Sequence, residues 1–374
     1  METPTVIVGA GPAGLSVAGL LRRAERSFVI IDSSDTVGAS WRRHYDRLHL
    51  HTPKRHSSLP GLPMGSELPQ YPSRQQVVEY LESYARELGI EPRFGETAMR
   101  IERESDGRWT TATRSHEYRS RSVVVATGYN HVPHVPEWPG MADFTGAIVH
   151  SRDYKNGEPF RGKRVLVVGT GNTGAEITLC LDEHGAESIA LCVRGKMDVV
   201  PKKFLGIPIT DWAIANSRLP LFVQDAITRS VSRLSFGDLR RIGLEPSGRP
   251  ISRIVEAGRI PLIDIGTVDL VRRGRVRVVG GIERVTATGV VVPEGELELD
   301  AVILATGYRT ILKDLIAPAA EGVRVLDERG YPNRKGVESE LEGLFFVGFR
   351  NPPTGLIRSI GIDARRAVSS ICAR

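Results

Sequence analysis

Short runs of consecutive apolar residues alternate along this chain with helix-spaced ones. Val6 to Val8 is wholly apolar and stops at a glycine, the pattern of a strand buried on both faces of a parallel sheet. Leu15 to Ala24 carries apolar residues at helical spacing, and Phe28 to Ile31 reads as the next strand. Val165 to Val168, a helix from about Asn172 to His184, and Ile189 to Val193 repeat the same strand–helix–strand theme. Ser73 to Leu88 predicts an amphipathic helix, with Val77, Tyr80, Leu81, Tyr84 and Leu88 on one face and Ser73 and Gln76 placed as a capping box. Arg275 to Val292 alternates apolar and polar residues around Gly280-Gly281 and Thr288-Gly289, which predicts an antiparallel hairpin. Leu344 to Val347 is a last buried strand and Ile357 to Cys372 a closing helix. Two stretches fit neither period: Trp41 to Pro72, rich in His and Pro, and Pro201 to Arg259, mixed and partly helical. Within the second, Trp212 to Val231 reads as one helix-like run, whose default place is a domain interface.

The sequence repeats itself. Val6-Ile-Val-Gly9-Ala-Gly11-Pro-Ala-Gly14 is echoed by Val165-Leu-Val-Val-Gly169-Thr-Gly171-Asn-Thr-Gly174. Downstream of each lies an Ala-Thr-Gly-Tyr unit, Ala126-Thr127-Gly128-Tyr129 and Ala305-Thr306-Gly307-Tyr308. The expected fold is therefore α/β, with two related Rossmann-like nucleotide-binding domains.

Each glycine of Gly9-x-Gly11-x-x-Gly14 has a separate task. The first makes a tight turn, the second lets backbone approach a pyrophosphate, and the third packs helix on strand. The pyrophosphate then rests on the positive end of the helix that begins near Pro12. Asp32 ends the next strand, where a carboxylate can accept two ribose hydroxyls at once. Gly169-x-Gly171-x-x-Gly174 stands in the same context, but its second strand runs out through Val193-Arg194-Gly195-Lys196. An acid at that place repels a 2′-phosphate, whereas a guanidinium binds one as a bidentate pair. The second module should thus prefer NADPH to NADH, the alternative being that Arg194 is an ordinary solvated side chain. Two dinucleotide sites in one chain point to FAD in the first and a nicotinamide in the second.

The 374 residues are ample for two or three domains, and 41% apolar content excludes a disordered chain. No run approaches the roughly 18 apolar residues of a membrane span, and Met1-Glu2-Thr3 enters the first strand without a leader-like prelude. Cys180, Cys192 and Cys372 form no Cys-x-x-Cys and no zinc pattern, which suits a cytoplasmic protein. The net charge is +6, with arginines scattered from Arg22 to Arg374, so solvated surface and phosphate pockets explain it better than nucleic acid.

Phe144-Thr-Gly146-Ala-Ile-Val-His150-Ser151-Arg-Asp-Tyr154 resembles the fingerprint of the flavin-containing monooxygenases, class B flavin-dependent enzymes. Tyr154 stands where the related Baeyer–Villiger enzymes usually carry Trp. Tyr45-Asp-Arg-Leu-His-Leu-His51-Thr-Pro53-Lys54, Tyr71-Pro-Ser-Arg-Gln75-Gln76 and Pro261-Leu-Ile-Asp264-Ile-Gly266-Thr267 are most similar to the plant YUCCA branch, indole-3-pyruvate monooxygenases. The resemblance spans nearly the whole chain. It implies a glutathione-reductase-like architecture, with an FAD domain at 1–155 plus 308–374 and an NADPH domain at 156–307 that carries 201–259 as a partly helical insertion.

It also implies that NADPH reduces the flavin and that a C4a-(hydro)peroxyflavin hands one oxygen atom from O2 to a small organic substrate. Carried over position by position, Gly9, Gly11, Pro12, Ala13, Gly14, Asp32, Ser33, Ser40 and Trp41 should hold FAD. Leu48, His49, His51 and Thr52 should run beside its ring system, and Ala126, Thr127, Gly128 and Gly348 should complete the site. Gly169, Thr170, Gly171, Asn172, Thr173, Gly174 and Arg194 should hold NADPH, and Ala305, Thr306 and Gly307 are further cofactor-binding candidates. Asn172 on the nicotinamide side and His51 are the candidate catalytic residues, while His150 reads as structural. His51 stands where animal and methylotroph-type members carry Asn, which favours a carbonyl substrate such as an aromatic α-keto acid. An N- or S-oxygenating enzyme and a ferredoxin-type NADPH reductase are the other readings, and a homodimer is one assembly compatible with all three. Lys54 is a candidate to meet a phosphate or a substrate acid, the alternative being an ordinary solvated lysine, and Arg358 a candidate to reshape the substrate pocket or meet a carboxylate.

Overall fold

The computed structural model describes residues 1–250, 261–317, 322 and 324–374; the end of the expected 201–259 insertion, from 251 on, lies outside them. The chain divides into two compact units, Met1–Arg43 with Thr52–Val132 and Tyr308–Arg374, and His44–His51 with Pro133–Gly307.

The first unit is built on a four-stranded parallel sheet in the order Val29–Ile31, Thr5–Val8, Ser122–Val125, Leu344–Phe346. Its strands are short and almost wholly buried, which is why they read as continuous apolar runs. The helices Pro12–Arg23 and Leu356–Cys372 pack against each other, and Arg74–Glu87 packs on the first of them. The capping box at Ser73 and Gln76 forms as expected, each satisfying a backbone N–H of the other's end. A small antiparallel sheet, Arg100–Arg103, Trp109–Ala112 and Glu117–Ser120, inserts between the second and third strands of the Rossmann pattern.

The second unit repeats the plan. Its parallel sheet runs Val276–Val279, Ser188–Cys192, Arg164–Val168, Ala301–Leu304, Ala147–His150. In both units the strand entering the Gly-rich loop is flanked by the second strand on one side and by the strand entering Ala-Thr-Gly on the other. The sequence repeat is therefore a structural one.

Three expectations need correcting. The second unit claims 44–51 and 133–155, which were expected in the first. Ala147–His150 hydrogen-bonds beside Ala301–Leu304, Tyr45 and Tyr154 enter the second unit's core, and the Asp46 N–H donates to the Lys155 carbonyl. Val276–Val279 is not half of a hairpin but the parallel edge strand of the second sheet. The antiparallel meander starts only at Arg284–Thr286 and continues through Gly289–Val292 and Gly295–Glu298. One-sided exposure gives an edge strand the same alternation as a hairpin strand. The run from Trp212 to Val231 splits into Ile209–Asn216 and Leu221–Phe236, because Pro220 cannot continue the first helix and sits at the N-cap of the second. Leu221, Phe222 and Leu234 on the second of these stay exposed.

Candidate functional site

In the first unit Gly9 adopts a φ of +112°, and a Cβ there would lie 2.6 Å from the Ala126 carbonyl oxygen. A Cβ on Gly14 would lie 1.7 Å from the Gly9 oxygen. Gly11 differs: a Cβ on it meets nothing within 4 Å. Its role is to keep space empty beside the first turn of the helix Pro12–Arg23, whose N-cap is Gly11 and which no side chain caps. The orphan N–H groups there are an anion seat. The Asp32 carboxylate accepts from the Ala10 N–H at 2.6 Å through Oδ2, and from the Ser34 N–H and hydroxyl at 2.8 and 2.5 Å through Oδ1. That leaves Oδ2 one lone pair for a further donor, as a ribose hydroxyl requires. The Thr127 hydroxyl, beside this loop, is buried without a hydrogen-bond partner among the described residues. Gly348 has φ +90°, and a Cβ on it would come within 3.0 Å of the Ala13 Cβ, so the last strand's turn closes on the start of the same helix. Ser33 and Ser40 are exposed and Trp41 half-buried, on the stretch after the second strand. An uncapped helix start, the open space beside Gly11 and an orphaned hydroxyl together fit a dinucleotide such as FAD.

The second loop has the same construction. Gly169 has φ +122° with a phantom Cβ 2.3 Å from the Ala305 oxygen, Gly174 faces the Gly169 oxygen at 2.0 Å, and Gly171 faces empty space. The helix Asn172–Glu183 is likewise uncapped by any side chain at Gly171. Thr170 and Thr173 flank this opening, half-buried. Arg194 is exposed just past the end of Ser188–Cys192, and Lys196 is engaged with Glu245 at 2.8 Å. The Thr306 hydroxyl, unlike that of Thr127, has a partner: it donates to the His134 carbonyl. These residues fit a nicotinamide dinucleotide with a 2′-phosphate.

The fingerprint around Phe144 is tied into the backbone of the second unit. A Cβ on Gly146 would strike the Asp300 carbonyl at 2.6 Å, and the Ser151 N–H donates to the Leu304 carbonyl. The His150 ring meets the Gly307 carbonyl at 3.2 Å through Nε2 and accepts the Arg152 N–H through Nδ1. Burial pushes its pKa down. Tyr154 stacks on Phe160 at 5.7 Å and is buried, which pushes its phenol far up. The motif stitches the edge strand to the loop that backs the second cradle.

The strap 44–51 brings a further group of residues into the second unit. Tyr45 anchors it in the core, and Arg47 binds Glu183 through two nitrogens at 2.9 and 2.6 Å. His49 Nδ1 contacts the Arg47 carbonyl at 2.7 Å. His51 meets the Glu176 carboxylate through Nε2. An ionised carboxylate only accepts, so Nε2 donates and Nδ1 is the ring's remaining polar atom. Glu176 is 2% exposed. Asn172 Oδ1 accepts the Ile263 N–H at 2.9 Å, tying the strand Leu262–Asp264 to the start of this helix and leaving its NH2 as donor. At the end of that strand, Asp264 accepts from the Gly266 and Val268 N–H groups at 3.2 and 3.0 Å, while burial raises its pKa.

Arg47, His49, His51, Glu176, Lys202 and Asp264 line one cavity of about 550 Å³, all within the second unit. The sequence reading missed Glu176, Lys202 and Asp264 as members of it. The available signal was a lone acid inside the buried run Ala175-Glu176-Ile177-Thr178-Leu179. Lys54 is not aimed at a substrate: its ammonium donates to the carbonyls of Gly65, Ser66 and Leu68 at 2.7, 2.9 and 2.5 Å and closes a loop in the first unit. Leu48 packs on the second unit's core, Thr52 lies against Gly355 in the first, and Arg358 is half-buried on the closing helix.

Residues 6–203 match the model of the pyridine nucleotide-disulphide oxidoreductase family. A probable indole-3-pyruvate monooxygenase of Arabidopsis thaliana, YUCCA7, is 38% identical over 358 residues, covering 92% of this chain and 82% of its own. Indole-3-pyruvate monooxygenase YUCCA1 of Oryza sativa subsp. japonica is 40% identical over 356 residues, covering 92% and 86%. Among solved structures, a flavin-containing monooxygenase from Stenotrophomonas maltophilia superposes with a TM-score of 0.73 at 25% identity, over 100% of this chain and 98% of that one. An oxidised steroid monooxygenase bound to NADP shares the fold, with a TM-score of 0.79 at 20% identity over 100% and 85%. Two Rossmann-like units with matching cradles and this breadth of similarity place the chain in the class B flavin-dependent monooxygenase family.

Proposed function

We propose that this enzyme binds FAD in the first unit and NADPH in the second, and oxidatively decarboxylates an aromatic α-keto acid of the indole-3-pyruvate type. The observation that carries the reading is the pair of like cradles with opposite selectors, Asp32 beside one and Arg194 beside the other. The names of the relatives support the substrate class. The balance is keto acid, O2, NADPH and a proton giving the acid one carbon shorter, CO2, water and NADP⁺.

FAD, when bound, supplies the chemistry: it takes a hydride from NADPH and lets O2 yield one oxygen atom to the substrate and one to water. The chain's own work is binding and positioning. The N–H groups after Gly11 and Gly171 hold pyrophosphates, Asp32 accepts a ribose hydroxyl, Thr127 supplies a hydroxyl to the first dinucleotide, and Arg194 grips the 2′-phosphate. Glu176 fixes the orientation of His51, and Ile263 fixes that of Asn172, so both candidate catalytic side chains are set before a ligand arrives. The three free cysteines and the lack of a Cys-x-x-Cys support a cytoplasmic setting and speak against dithiol chemistry.

The test is to purify the protein, confirm a flavin spectrum, and follow NADPH oxidation with indole-3-pyruvate, phenylpyruvate, a sulfide and an amine under ¹⁸O2. The reading expects one ¹⁸O in the shortened acid and a preference for NADPH. Greater turnover of the sulfide or amine would overturn the substrate class. Faster NADPH oxidation with an added electron-transfer protein, and no labelled product, would overturn the monooxygenase reading for this chain.

A further inference from the structure

The cavity of the second unit carries more basic than acidic groups, and its acids are already engaged. Arg47, His49, Lys202 and Lys203 line it together with Glu176 and Asp264. Glu176 is held by His51, and Asp264 accepts two backbone N–H groups. Arg47 is likewise committed to Glu183. Pro201, Phe236 and Ile265 give the same cavity an apolar wall. A space of about 550 Å³ is within the range that takes a small organic ligand, and a lining of basic and apolar residues together suits a molecule with an anionic head and an aromatic body.

Lys202 stands out within it. It follows directly on Val199–Pro201, and its own N–H donates to the Asp264 carbonyl at 3.3 Å, so its backbone is fixed. Its side chain is half-buried, and burial pushes its ammonium pKa below the ordinary value while the nearby Glu176 charge pulls it back up. A partly desolvated cation gains more from an incoming carboxylate than a solvated one does.

We propose that this cavity recognises the carboxylate of the substrate, with Lys202 as the residue that separates a free α-keto acid from its neutral analogues. The proposal rests on the keto-acid reading above and names the recognition element for it.

Binding can be tested apart from catalysis. Oxidised holoenzyme without NADPH is titrated by calorimetry with phenylpyruvate, methyl phenylpyruvate and NADP⁺, in the parent protein and in Lys202→Met. The parent should bind the acid at least 10-fold more tightly than the ester, and Lys202→Met should weaken the acid by about 10- to 100-fold while the ester and NADP⁺ stay within about twofold. Lys202→Arg should restore part of the acid preference. Equal binding of acid and ester by the parent, or no binding of the acid, overturns the proposal, as does a loss of NADP⁺ affinity in Lys202→Met as large as the loss for the acid. If Lys202→Met is recovered without flavin, the acid–ester comparison in the parent decides alone. Selective binding of the acid without its turnover in the presence of NADPH would sink the keto-acid reaction and leave the recognition site standing.

Discussion

The two Gly-rich loops are near copies, and the differences lie just beyond them. In both, the first glycine sits at positive φ against an Ala-Thr-Gly loop, the third packs on the first, and the second faces space. The first loop is then followed by Asp32, locked by three donors, with the Thr127 hydroxyl buried and unsatisfied among the described residues. The second is followed by exposed Arg194, and its matching Thr306 already has a partner. The backbone geometry of the two loops is thus alike, and the proposed choice of dinucleotide falls to one side chain at the end of the neighbouring strand.

The harshest way to break the likeness is to fill a glycine that packs. Gly14→Ala puts a Cβ onto the Gly9 oxygen and Gly174→Ala does the same at Gly169, so each should cost about 3 kcal/mol or more and lower the melting temperature sharply. Melting within a degree or two of the parent would contradict the packing described here. Filling the glycines that face space should instead separate the two units by function. Gly11 and Gly171 have extended backbone with φ of −81° and −77°, which any residue adopts, so valine there should fold. Gly11→Val should be recovered colourless, whereas Gly171→Val should keep its flavin and lose NADPH oxidation. Flavin retained at parental occupancy in Gly11→Val counts against the first seat.

Arg194→Ala sharpens the comparison further. It should lower kcat/KM for NADPH by about 10- to 100-fold and leave NADH nearly unchanged, as expected for the loss of a charge-assisted pair. Equal losses for both nucleotides would remove Arg194 from the 2′-phosphate. The smallest effect concerns a clamp belonging to the second unit. Arg164 pairs with Asp300 at 3.0 Å and holds its carboxyl down to about 2. A carboxylate lowered in the folded state stabilises above its unfolded value, roughly 4, and that stability is lost as pH falls toward 2. Asp300→Asn should therefore narrow the gap in melting temperature between pH 7 and pH 3 slightly. An unchanged acid limb would mean the exposed pair contributes nothing.

Much of this was legible along the chain. The cradles could be read because their requirements are local: a turn, a close approach and a helix start within six residues, Gly9 to Gly14 and again Gly169 to Gly174. The capping box at Ser73 was legible for the same reason. His51 was marked as a candidate, but its partner Glu176 lies 125 residues away on a helix that otherwise reads as core. No spacing rule connects two such positions. The edge strand Val276–Val279 was misread because alternation reports one-sided exposure and does not say which strand lies alongside.

The sequence by itself determined the repeat, the two Gly-rich turns at helix starts and the contrast of Asp32 with Arg194 beyond them, because each is a matter of a few consecutive residues. Only the tertiary structure decided that the strap 44–51 belongs with the second unit and that the segment from Phe144 to Tyr154 joins the same unit's sheet and core. It alone gathered His51, Glu176, Lys202 and Asp264 around one cavity. Those outcomes follow from which buried surfaces meet and which polar groups must then find partners, and segments far apart in the chain settle that together.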